Sequence, residues 1–131
     1  MSRTALVFFY GYTGMLLCVG FSGIFIAHWE LQRIFGIRLP EMNHHAVATI
    51  LNQYRFLKAM EFSFGLFCAT YRREIFAGGG ARKLFLGGVF TGVAARAISI
   101  LASGWPQWAF IVFLFLELAC GILVLLQPGD P

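Results

Sequence analysis

Four charged residues stand inside the most apolar stretches of the chain: Lys58, Glu61, Arg96 and Glu117. Charge in such surroundings is costly to bury and persists only with partners, which makes it a functional signal by default. Here two cations and two anions cancel. They can lock neighbouring segments in register, or form a polar pocket for a headgroup, a quinone or a proton. Lys58 lies one helical turn before Glu61 and can pair within its own helix. Arg96 carries a planar fork of donors that can serve both Glu61 and Glu117. Tyr54, Arg55 and Ser99 bring further polar groups to the same set, with Arg55 able to snorkel outward.

That chemistry needs elements to carry it, and composition names their solvent. The 131 residues are 59% hydrophobic and 12% charged, where an ordinary soluble domain carries about 25% charge. So apolar a chain is not disordered. Its three cysteines, Cys18, Cys68 and Cys120, cannot form a self-contained disulfide framework. The composition points to lipid.

A helix needs about 20 mainly apolar residues to cross a bilayer. Four stretches meet that need, at about residues 5–27, 50–71, 84–103 and 107–126. No alternation suited to barrel strands appears. The first stretch follows Met1-Ser2-Arg3 but is too long for a signal peptide, and no small-x-small cleavage site follows it. The sequence therefore predicts an all-α, integral-membrane four-helix bundle, as one domain over residues 1–131.

The connections fit. Gly104-Trp105-Pro106 joins the last two spans as a tight hairpin, with glycine suited to a helix end and proline to a helix start. Gly78-Gly79-Gly80 breaks the chain before the third span. Between Glu30 and Val47, the residues Leu31, Ile34, Phe35, Ile37 and Leu39 are too apolar for a solvated loop. That stretch should lie along the membrane surface or extend the first helix, with Pro40 opening an extended second helix. The tail from Gln127 to Pro131 should stop the last helix.

Lysine and arginine in short loops set orientation. Arg3, Arg72, Arg73, Arg82 and Lys83 fall on one side, and Arg33 and Arg38 on the other, offset by Glu30 and Glu41. Both termini are then cytoplasmic, and Trp29, Trp105 and Trp108 anchor the outer boundary. The net charge of +4 reads as topology, not as nucleic-acid binding. Arg72, Arg73, Arg82 and Lys83 would touch anionic lipid headgroups.

Depth brings the buried charges together. At about 1.5 Å per residue, Glu61 and Glu117 lie about 15 Å from their nearer counted boundaries, and Lys58 and Arg96 about 20 Å. Helical periodicity puts Arg96 on a face with Gly88, Gly92 and Ser99, Glu61 with Tyr54 and Gly65, and Glu117 with Gly121. Gly11 and Gly14 form a matching small stripe in the first span. Small residues mark where membrane helices approach, so these six glycines are the expected packing positions.

His28, His44 and His45 are the candidates for a metal, but their spacing matches no recognised ligand pattern. No catalytic motif, phosphate loop, nucleophile elbow or Cys-x-x-Cys pair occurs, so no catalytic residue or cofactor is assigned.

The run Asn52-Gln53-Tyr54-Arg55-Phe56-Leu57, then Glu61 and Gly65, then Ala95-Arg96-Ala97-Ile98-Ser99, Gly104-Trp105-Pro106 and Glu117, carries a resemblance. It resembles a widespread family of small four-span bacterial membrane proteins of unknown function, similar in layout to the DoxX-like group. The resemblance implies a four-helix bundle in the bacterial inner membrane, with Arg55, Arg96 and Glu117 as marker positions. It implies no reaction. Some DoxX-like proteins accompany redox enzymes, which favours an accessory role. Lys58 and the His44-His45 pair match no family pattern.

Three functions follow as expectations. The first is an accessory or binding subunit of a larger, redox-linked membrane complex, with other membrane subunits or further copies of the chain as partners. The second is a membrane enzyme or carrier that binds a lipid or quinone at the Glu/Arg pocket. The third is a proton-coupled transporter, for which one bundle with a filled core leaves little room.

Overall fold

A computed structural model describes residues 2–129 of the chain. Asp130 and Pro131, the end of the tail expected to stop the last helix, lie outside the described residues, as does Met1. The described elements are helical: α1 (Arg3–Phe25), α2 (Ala27–Arg33), a 3-10 turn (Leu39–Glu41), α3 (His44–Thr70), α4 (Arg72–Ala77), α5 (Gly79–Ser103) and α6 (Trp108–Leu125).

Three of these, α1, α5 and α6, are long and apolar enough to cross a membrane. The sequence suggested four. The remaining candidate, α3, is long enough at 27 residues, but every 18-residue window along it contains Arg55, Lys58 and Glu61. Each central charge costs about 2.5–3.5 kcal/mol on insertion scales, so α3 does not qualify on apolarity alone.

Local chemistry sets the boundaries. Ile26 (φ −100°, ψ 19°) alone separates α1 from α2, so part of the mixed stretch after the first span is helical. Pro40 sits in the 3-10 turn and does not open α3. That role falls to Asn43, whose Oδ1 accepts from the Ala46 N–H at 2.8 Å and satisfies a donor that the first helical turn leaves unpaired. α5 begins at Gly79, ahead of the expected Leu84. Gly78, at φ +116°, makes the break between α4 and α5, and Gly104, at φ +86°, makes the turn after α5. Both angles disfavour residues with a Cβ.

The chain forms two compact units. One comprises the residues up to Thr13 and those from Phe67 onward. Its core gathers Phe9 edge-on to Phe76 at 5.1 Å and tilted against Phe85 at 5.4 Å, with Ala5, Ile75, Val89, Cys120 and Val124 buried around them. α5 and α6 approach closely where Gly121 lies, since a Cβ there would stand 3.0 Å from Val89 and 3.2 Å from the Phe90 ring. The other unit runs from Gly14 to Leu66. In it α1 and α3 meet at Gly20, where an added Cβ would come within 2.6 Å of the Phe62 backbone nitrogen.

Candidate functional site

In the first unit, the α5–α6 hairpin positions the site. Helices joined by a short turn run antiparallel, so Arg96, late in α5, faces residues early in α6. Arg96 Nε donates to Glu117 Oε2 at 3.0 Å and Nη2 donates to Oε1 at 3.3 Å. This is the two-point geometry that a planar guanidinium and a carboxylate favour. The Phe110 ring lies over the guanidinium, 5.8 Å from its centroid.

Beside the pair, a pocket of about 250 Å³ is lined by Arg96, Ser99, Ile100, Pro106, Phe110 and Leu114. The Arg96 side chain is 28% exposed and Glu117 11%. Arg96 is thus the member of the pair that lines the pocket. An arginine carries five N–H donors, and Glu117 takes one from Nε and one from Nη2. Both N–H groups of Nη1 make no hydrogen bond among the described residues. The Ser99 hydroxyl is equally unengaged there. The pocket can therefore offer hydrogen bonds inside an otherwise apolar wall.

The second unit holds the other buried charges. Lys58 is 3% exposed as a whole residue, and its Nζ donates to Glu61 Oε2 at 3.0 Å. The ammonium also lies 5.2 Å from the Tyr54 ring centroid. Tyr54 Oη donates to Glu30 Oε2 at 2.5 Å. Arg55 Nε donates to the Ile24 carbonyl at 3.2 Å. Gly23 makes room for the lysine stem, because a Cβ there would fall 2.5 Å from Lys58 Cδ.

The candidate residues thus divide into a pocket set and a structural set. Both hydrogen bonds from Arg96 go to Glu117, and Glu61 accepts from Lys58. Within the first unit the fork serves Glu117. Among the expected packing glycines, Gly65 would meet Leu16 and Leu17, and Gly121 meets Val89 and Phe90. Gly92 has only Glu117 within 4 Å, at 3.9 Å. Around Gly11 and Gly14 nothing described lies within 4 Å of an added Cβ. The closest approaches fall at Gly20 and Gly23, which the small-residue stripe had passed over.

Five other residues lie outside the set expected from the sequence. Glu30, expected as a boundary charge offsetting Arg33 and Arg38, is buried on Tyr54, and its position in the apolar run around Leu31 is the available signal. Ile100, Pro106, Phe110 and Leu114 line the pocket, and nothing in their spacing marks them as pocket residues.

The basic cluster also divides. Arg82 Nη2 donates to the carbonyls of Val124, Leu125 and Gln127 at 2.6, 2.8 and 2.5 Å. It closes the end of α6, where carbonyls lack helical partners. Arg72 donates to the Tyr10 hydroxyl. Arg73 and Lys83 are exposed. His28, His44 and His45 are exposed, and the described residues contain no group of three or more His, Cys, Asp or Glu able to hold a metal.

A family model spans residues 4–127, nearly the whole chain. The chain belongs to DUF4345, a domain of unknown function. In this DUF4345 chain both the Arg96 pocket and the Lys58–Glu61 pair lie within the matched region. No curated protein and no solved structure matches the chain.

Proposed function

We propose that this DUF4345 chain is a small multi-pass protein of the bacterial inner membrane that binds an amphipathic lipid or quinone at the Arg96 pocket. In this reading α1, α3, α5 and α6 form a four-helix bundle with both termini cytoplasmic, a layout like that of the DoxX-like group. Lys58–Glu61 and Tyr54–Glu30 supply the partners that allow α3 to cross despite its charge. One observation carries the binding role. An ion pair held tightly by two hydrogen bonds still leaves guanidinium donors facing an apolar pocket. A pair that served only as a lock would gain by covering them.

The test is occupancy. Protein purified in mild detergent and extracted into organic solvent should yield a bound lipid or quinone at a fixed ratio by mass spectrometry. Leu114→Phe, which fills the pocket without touching the ion pair, should abolish that ligand. Unchanged occupancy in Leu114→Phe would overturn the reading.

An accessory-subunit role rests on a separate observation. Trp108, Val112, Phe115 and Ile122 are exposed along one stripe of α6, a face that could meet a helix of a larger, redox-linked complex. Stoichiometric partners after mild extraction would support that role, and a monodisperse lone monomer would remove it.

A further inference from the structure

We infer that the Arg96 pocket selects a neutral head that accepts hydrogen bonds, such as a carbonyl or hydroxyl on an apolar tail, over an anionic head. The inference rests on the binding role proposed above and narrows it to one ligand chemistry.

Charge decides first. Arg96 is the one charged residue lining the pocket among the described residues, and Glu117 already neutralises it at 3.0 and 3.3 Å. A phosphate or carboxylate entering the pocket would have to displace Glu117 or lie within a few ångströms of its carboxylate. Like charges that close inside a low-dielectric wall repel strongly. A neutral oxygen meets no such penalty.

Donors decide next. Among the described residues of the first unit nothing accepts from the N–H groups of Nη1, which can donate to a ligand. The Ser99 hydroxyl can give or take one further bond. Ile100, Pro106, Phe110 and Leu114 offer no polar atom from their side chains. That set suits one or two oxygens on a head that is otherwise apolar. It does not suit a fully charged, heavily hydrated group, which needs several cations or water.

Size decides the rest. At about 250 Å³, the space is below the roughly 300–1,000 Å³ of sites that enclose a whole drug-sized ligand. It fits a head, and the tail must leave the pocket.

The test compares matched tails. Trp105 and Trp108 flank Pro106 in sequence, so bromine on a bound acyl chain should quench their fluorescence. The protein carries Trp29→Phe to remove the third tryptophan. The probes are the glycerol monoester of 9,10-dibromostearic acid, which is neutral, and the dibromostearate anion at pH 9. The monoester should quench saturably and bind at least about tenfold tighter than the anion. Arg96→Leu/Glu117→Leu, which leaves no lone charge behind, and Leu114→Phe should each lose the saturable phase. Tighter binding of the anion would overturn the neutral-head inference and leave the binding role standing. Absence of saturable quenching by either probe, or saturation unchanged in Leu114→Phe, would overturn both.

Discussion

Removing one partner of the Arg96–Glu117 pair should damage the protein more than removing both. Glu117→Leu strands the guanidinium, and Arg96→Leu strands the carboxylate. Breaking a buried pair from one side costs about 3–5 kcal/mol, because the remaining charge is left uncompensated. The structure separates the two cases. Arg96 is 28% exposed and opens onto the pocket, while Glu117 is 11% exposed and set behind it. Glu117→Leu should therefore cost about 2–3 kcal/mol, reduced by the solvation left to Arg96. Arg96→Leu should cost the fuller figure of about 3–5 kcal/mol. The double variant replaces two charges by packed leucines, a change that is often neutral or stabilising by about 1–4 kcal/mol. Reversible unfolding in bicelles by dodecyl sulfate, followed by circular dichroism, measures all four species in one cycle. The expected coupling is at least about 3 kcal/mol, with the double variant more stable than either single. Two single losses that simply add in the double variant would show that the carboxylate and guanidinium do not interact, and the site as described would fall.

Two further outcomes follow from the packing. Gly20→Ala should destabilise the chain by about 1–2 kcal/mol in the same unfolding assay, since the Cβ meets the Phe62 backbone at 2.6 Å and backbone cannot swing away. Gly23→Ala meets only the lysine stem and should cost less, while Gly11→Ala has open space and should gain up to about 1 kcal/mol of helix propensity; equal effects at all three would refute the contact geometry. Arg82→Ala should free the carbonyls of Val124, Leu125 and Gln127, with faster amide exchange confined to the last turn of α6, while Lys83→Ala, on an exposed neighbour, should leave exchange unchanged.

Much of the fold was legible because its causes are local. Gly104 and Pro106 announce the α5–α6 turn, and Gly78 announces the break before α5, through backbone geometry that few residues tolerate. The pairing of Arg96 with Glu117 was also legible, because a hairpin and a fixed rise per residue bring equal depths together. What failed depended on distance along the chain. Glu30 finds Tyr54 only after an intervening 3-10 turn, so by sequence its charge stands only at the boundary. Gly20 and Gly23 differ from Gly11 only in what α3 places against them, and sequence spacing does not carry that information. Arg82 obeyed the loop-charge rule in its position while its side chain reached back to α6. The pocket is subtler still, because it is defined by the space that Ile100, Pro106, Phe110 and Leu114 leave unfilled.

The self-cancelling pairs have an electrical consequence. Moving one elementary charge through a membrane potential of 100 mV takes about 2.3 kcal/mol. Lys58 with Glu61 and Arg96 with Glu117 each sum to zero over about 3 Å. At these two pairs a transmembrane field would act on short dipoles and not on a net charge. A neutral ligand settling beside Arg96 adds none. If the proposed binding role holds, occupancy of the pocket should therefore be the same in energised and de-energised membranes.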